Sequence, residues 1–232
     1  APPPRDRPPA DRALVLLAAA SPEAGWERLA ALPLPERDAR LLELRMAALG
    51  PRLDVRAACP ACGEGVEFTL DVPALLAAGD PPPPPYEAAG GGVRMRFRLP
   101  DSHDLAAAGD AGEAGAARRL LAARCVVEAV SDDGSPVAPR ALPGAAVDAL
   151  AAALGEVASQ ADLVVALSCP ACGAGWEPVL DPAEFVWAEV AARARRTLRE
   201  VDALARAYHW SEAEILALSP ARRRAYLELV EG

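Results

Sequence analysis

Lysine is missing from the 232 residues, and every one of the 24 basic side chains is an arginine. With abundant alanine, proline and glycine, that bias reflects GC-rich coding and assigns no function by itself. Aromatic residues are also scarce, at 4%, although hydrophobic residues make up 52%. Much of the apolar content is therefore alanine, and small side chains bury little area each. The composition excludes one large core and predicts several modest helical packs. Positive charge is in short supply. A net charge of −9 and a pI near 4.9 set the chain against phosphate backbones and anionic membrane surfaces, unless its arginines are segregated. The longest apolar run, Ala13 to Ala20, falls well short of the roughly 20 residues that a spanning helix needs, and its flanks do not form a secretory signal. The expectation is a soluble, cytoplasmic chain, with no membrane insertion, of one sizeable domain or two small ones. Histidine occurs only twice, no serine sits in a nucleophile elbow and no glycine loop matches a phosphate cradle. No acid–base set is assembled, so neither an enzyme nor a small-molecule substrate is indicated.

What is present falls into segments. Residues 1–10 hold five prolines and two arginines and read as a disordered tail. Residues 11–51 are helical in pattern, with Pro22 and Pro35 at helix starts and Gly50-Pro51 as a stop. Leu53 to Ala57 and Val66 to Leu70 alternate as two strands around Cys59 and Cys62. Residues 79–92, with five consecutive prolines and three consecutive glycines, read as a spacer. The segment 93–161 follows as an inserted α+β domain. It has a strand whose Val93, Met95, Phe97 and Leu99 share one face and Arg94, Arg96 and Arg98 the other. Helices are predicted over 113–124 and 143–154, with a strand over 126–130 between them. Leu163, Val165 and Leu167 form a strand into Cys169. Asp181-Pro182-Ala183-Glu184 then opens a C-terminal arm of three helices over 182–232.

An internal repeat carries the chemistry. Cys59-Pro60-Ala61-Cys62-Gly63 recurs as Cys169-Pro170-Ala171-Cys172-Gly173. The match continues through Gly65/Gly175, Glu67/Glu177, Leu70/Leu180, Asp71/Asp181 and Leu75/Phe185, all at an offset of 110. A Cys-x-x-Cys bend lets two thiolates reach one ion, and two such knuckles complete a tetrahedral Cys₄ shell with no position left for water. Cys59, Cys62, Cys169 and Cys172 therefore read as ligands of one structural Zn²⁺. The 106 residues between the knuckles exceed any ordinary ribbon loop, so the ribbon, residues 52–78 plus 162–181, is split by an insertion. Disulfides compete poorly in a reducing cytoplasm. A thiol oxidoreductase stays open as a lesser alternative, because Cys-Pro-x-Cys also serves redox sites. Cys125 reads as a buried thiol.

His103, beside Asp101 and Asp104, reads as part of a helix-capping loop, and His209 lies at a helix junction. Between Arg193 and Arg224, eight arginines face four acids, a local charge of +4. A zinc-ribbon nucleic-acid binder or regulator is the runner-up on that ground, although the acidic chain as a whole disfavours it. The arm also concentrates Trp210, Ile215, Leu216, Tyr226 and Leu227, an apolar set read as a partner-binding surface because short helices bury little against themselves.

The string Tyr208 to Pro220, running on through Arg222-Arg223-Arg224 to Tyr226-Leu227-Glu228, resembles a module encoded beside the baseplate genes of contractile phage tails and phage-tail-like extracellular injection systems. Phe97-Arg98-Leu99-Pro100 followed by Asp104-Leu105 resembles the opening of T-even-type baseplate hub assembly proteins, and the paired knuckles resemble zinc-bearing variants of that group. The resemblance implies a structural protein or assembly chaperone whose partners are other baseplate, hub or tube proteins. The expected fold is α+β: a split Cys₄ ribbon of two hairpin knuckles, an inserted α+β domain and a C-terminal helical arm.

Overall fold

Prolines and glycines set the N-terminal helices. In the computed structural model, which describes residues 9–77, 83–159 and 163–231, helix α1 (Pro9–Ala20) leads into a 3-10 turn opened by Pro22. Helix α2 (Trp26–Ala30) follows, and Pro35 then lies in the first turn of α3 (Leu34–Leu49), where a missing N–H costs nothing. Gly50, at φ 95°, stops α3, its N–H donating to the Met46 carbonyl at 2.9 Å. Ala13, Leu14, Leu17, Leu29 and Leu41 are buried where α1 packs on α2 and α3.

Strands β1 (Arg52–Ala58) and β2 (Gly65–Asp71) form an antiparallel hairpin paired from Arg52↔Asp71 to Ala58↔Gly65, followed by the one-turn helix α4 (Val72–Leu76). Alternation places Leu53, Val55 and Leu70 on the buried face.

The spacer expected over 79–92 is corrected in its second half; residues 79–82 lie outside the described residues. Strand β3 (Tyr86–Gly90) pairs with β4 (Val93–Phe97) in a tight hairpin turned by Gly91 and Gly92. The glycines serve close packing here. A Cβ on Gly90 would lie 2.4 Å from that of Ala149, and Gly91, at φ 61°, sits against the Ala146 backbone. A glycine run read as flexible from composition is thus pressed onto a helix.

Helices α5 (Ser102–Gly109) and α6 (Ala114–Cys125) precede β5 (Val126–Ser131), which completes an antiparallel sheet of order β3-β4-β5. Helix α7 (Gly144–Ser159) covers one face of that sheet. Val93, Met95, Phe97, Val126 and Ala129 meet Ala146, Val147 and Leu150 in its core. Arg94 and Arg96 lie on the open face, where Arg96 bonds Glu128 at 3.0 Å. Arg98 departs from the expected polar face. It has left the strand, and its guanidinium grips Asp104.

Asp104 is a completely buried carboxylate. It accepts from Arg98 Nη1 at 2.6 Å and Nη2 at 3.1 Å, from Arg124 Nε at 2.6 Å and from the Asp101 N–H at 3.0 Å. The Asp101 carboxylate returns a bond to the Asp104 N–H, closing a capping box on α5. One side chain thereby ties the end of β4, the start of α5 and the end of α6 together. Burial raises its pKa, but the Arg98 fork, the Asp101 N–H and Arg124 outweigh burial and hold it at about 2.

After α7 the second ribbon half consists of β6 (Leu163–Val164), β7 (Leu167–Ser168), β8 (Gly175–Trp176) and β9 (Val179–Leu180). Helix α8 (Pro182–Tyr208) then starts, with the Asp181 carboxylate accepting from the Ala183 N–H at 2.8 Å. His209, at φ 55°, ends α8 in the left-handed conformation, its N–H donating to the Ala205 carbonyl. Helices α9 (Glu212–Ala217) and α10 (Pro220–Glu231) follow, α9 opened by a Ser211/Glu214 capping box. The chain divides into two compact units, Arg7–Val186 and a second one from Trp187 onward. The N-terminal helices, both ribbon halves and the inserted sheet belong to the first; the arm forms the second.

Asp104→Asn is expected to cost about 3 kcal/mol at neutral pH, because it leaves two guanidinium groups around a neutral amide. The folded carboxylate has a depressed pKa, so its stabilising contribution is complete above the ordinary value near 3.8 and is lost as pH falls through about 2. Urea titrations should show the gap between wild type and variant narrowing over that acid range. A gap independent of pH there would contradict the assignment.

Candidate metal centre

The two knuckles fold alike because their hydrogen bonds repeat at the sequence offset. Cys59 N–H donates to Glu64 O at 2.8 Å and Gly63 N–H to Cys59 O at 2.8 Å. In the second copy Cys169 N–H donates to Ala174 O and Gly173 N–H to Cys169 O, both at 2.9 Å. Gly63 and Gly173 adopt φ of 79° and 74°, a conformation that glycine reaches without strain.

Strand register repeats too. Ala58↔Gly65 and Leu53↔Leu70 in the first copy correspond, 110 residues later, to Ser168↔Gly175 and Leu163↔Leu180. The one departure is an interruption of the second hairpin into two short pairs. Pro178 stands where the first copy has Phe68, and without an N–H it cannot continue the ladder. After each hairpin a helix begins, α4 in the first copy and α8 in the second. Leu53, Val55, Leu70 and Val72 share a buried cluster with Leu180, and Leu75 and Phe185 from the two copies both pack against it, as do Leu42 and Met46 of α3.

This shared core brings the cysteines together. All four sulfurs lie within 4.8 Å of one another. Cys59 Sγ is 3.7 Å from Cys172 Sγ, and Cys62 Sγ is 3.6 Å from Cys169 Sγ, so the first cysteine of each knuckle faces the second of the other. A disulfide needs about 2.05 Å. A tetrahedron of thiolates at about 2.3 Å from a central ion has edges of about 3.8 Å, and the observed contacts match those edges. Cys59 and Cys169 are buried while Cys62 and Cys172 face outward.

The electrostatics ask for a cation. Burial opposes the Cys59 thiolate, yet the N–H groups of Cys62 and Ala61, with the Cys172 and Cys169 thiols, hold its pKa down at about 7. The Glu64 N–H favours a thiolate at Cys62, but Cys172, Cys169, burial and Cys59 push it up to about 12. Four adjacent sulfurs cannot all ionise without a positive charge among them, and a divalent ion reverses that balance. The donor set is all sulfur, closed and tetrahedral in spacing, which suits a structural Zn²⁺. Among the described residues this is the one group of three or more His, Cys, Asp or Glu side chains placed to hold a metal.

Comparison with known families matches residues 17–182 to the family described as T4 bacteriophage base plate protein. The chain belongs to this family. Neither the curated proteins nor the solved structures gave a match. The baseplate family match spans both knuckles, the Phe97–Pro100 and Asp104–Leu105 segment and the inserted sheet. It stops at the start of α8, so the Tyr208–Glu228 string lies outside it.

Other expected residues fall elsewhere. Cys125 is fully buried, and burial followed by the Asp104 charge pushes its thiol up to about 11, which fits an inert core thiol. His103 lies on the first turn of α5, 3.5 Å from Glu27, with Asp101 as the capping residue. In the arm Trp210 stacks on Tyr208 at 4.7 Å and meets the edge of Tyr226 at 4.9 Å, and Leu227 is half-buried. Leu216 is exposed. Ile215 is corrected: it is completely buried, because a helix of six residues cannot hold its shape unless its apolar side chain is covered. Asp104 is the connected residue that sequence reasoning undervalued. Its signal was the Asp-x-x-Asp spacing before an apolar run.

Cys169→Ser is expected to lower the stability of the whole Arg7–Val186 unit by several kcal/mol, since one lost thiolate opens a shell that joins segments distant in sequence. Thermal melts with and without a chelator should show wild type falling to the level of the variant. If variant and wild type melted together under both conditions, the centre would not be structural.

Proposed function

We propose that the protein is a non-enzymatic structural or assembly component of a contractile baseplate, in a phage tail or a phage-tail-like extracellular injection system. It works through contacts with other baseplate, hub or tube proteins, around one zinc held by Cys59, Cys62, Cys169 and Cys172. The family match over residues 17–182 carries the reading, since it takes in both knuckles together with the insertion between them. The sulfur geometry supports the metal, and four thiolates leave no open position at which a substrate or water could be activated. A redox role is less well supported: each Cys-x-x-Cys lies in a strand-to-strand turn, away from the helix N-terminus that lowers the pKa of redox cysteines. No helix among the described residues is long and apolar enough to cross a membrane.

Co-expression of the tagged chain with its neighbouring baseplate genes, followed by affinity capture and mass spectrometry, tests this reading. Sheath, tube or hub proteins are expected to co-purify with the chain. Salt-sensitive duplex DNA binding with no baseplate protein captured would contradict it in favour of a nucleic-acid role.

A further inference from the structure

We infer that the C-terminal arm carries a recognition groove built from Arg193, Arg196, Arg223 and Arg224, and that its occupant is an acidic segment of a partner protein. The inference rests on the reading of the chain as a protein-interaction part. Arg193 and Arg196 stand on α8, Arg223 and Arg224 on α10, and together with Glu200 they line a recess of about 180 Å³. Among the described residues Glu200 is the single carboxylate in that lining, and it is already engaged, 3.2 Å from Arg223 Nε and 3.5 Å from Arg196 Nε. Arg223 is further fixed by donating to the Leu218 carbonyl at 2.7 Å. Arg193 and Arg224 are exposed and have no carboxylate partner among the described residues.

Four guanidinium groups against one carboxylate leave the recess strongly positive. Like charges held together weaken the arm that holds them, and among the described residues Glu200 offsets that repulsion only at Arg196 and Arg223. Guanidinium forks bind carboxylates and phosphates alike, through paired N–H donors. Two observations favour a protein carboxylate over nucleic acid. With the Arg193–Arg224 segment at +4 and the chain at −9, the remainder carries −13, which repels a polyanion. A duplex presents a charge every ~1.7 Å and needs an extended track, whereas this recess has room for one or two carboxylate side chains.

The test uses the full chain. A fluorescent hexaglutamate peptide and a fluorescent short DNA duplex are each titrated at about 50 mM and about 200 mM salt. Arg193→Gln/Arg224→Gln removes the two unpaired groove charges, while Arg195→Gln/Arg199→Gln removes the same charge from α8 outside the groove. The groove variant is expected to lose roughly tenfold in peptide affinity and the control less than about threefold, with the peptide bound more tightly than the duplex. Equal losses, no peptide binding at the lower salt, or a duplex that binds more tightly than the peptide would each overturn the inference. Should the groove variant melt below the control, Arg193→Lys/Arg224→Lys keeps the charge and removes the fork. A clear loss of peptide affinity is expected there too, and unchanged affinity would count against the groove. Failure in these titrations with capture of baseplate proteins intact would retire the groove alone and leave the proposed function standing.

Discussion

Four sulfurs from two turns, 110 residues apart in sequence, have to meet at one point, and most of the first unit is arranged to make that possible. Closing a loop of that length costs the chain about 4–5 kcal/mol of entropy. Structural zinc binding in small domains provides about 10–16 kcal/mol at neutral pH, so a metal at Cys59, Cys62, Cys169 and Cys172 outweighs the closure by a wide margin. Four adjacent thiols also suit a cation among them. The neighbouring thiols favour one thiolate at Cys59, held at about 7, and oppose a second at Cys62, pushed up to about 12.

The cysteine cluster does not hold the two copies together alone. Beneath the knuckles the two repeat copies share one apolar cluster in which Leu53, Val55 and Leu70 pack with Leu180, and Phe185 at the start of α8 packs against it. The insertion shortens the effective closure because it folds on a core of its own, with β3-β4-β5 packed on α7. Asp104 locks β4 to α5 and α6, and a bridge between Pro33 and Asp101 joins that corner to the N-terminal helices. Ribbon, insertion and helices therefore form one unit, in keeping with a family match that runs through all of them. The arm lies beyond that match and carries the arginine recess.

Sequence alone disclosed what depends on local spacing. The knuckles, their convergence on one site, the capping loop around His103 and the three C-terminal helices were all legible, because each is fixed by residues a few positions apart or by the offset of 110. The break in the second hairpin went unread, although Pro178 stands where the first copy has Phe68. Tertiary competition hid the rest. The glycines at 90–92 read as a spacer because their close approach to α7 involves residues more than 50 positions away. Ile215 read as part of a partner-binding surface because what covers a six-residue helix is decided outside that helix. The groove was invisible as a groove: a charge count over the arm gives +4, but only the return of α10 beside α8 brings Arg223 and Arg224 to Arg193 and Arg196.

The central claim is that one closed four-sulfur metal centre staples the two knuckles. Zinc-edge X-ray absorption on the purified full-length protein addresses it most directly, because the scattering shell reports ligand type, number and distance together. The account requires one zinc per chain with four sulfur neighbours at about 2.3 Å and no nitrogen or oxygen in the first shell. A mixed shell, fewer than four sulfurs, or protein that carries no zinc when purified without chelator would contradict it.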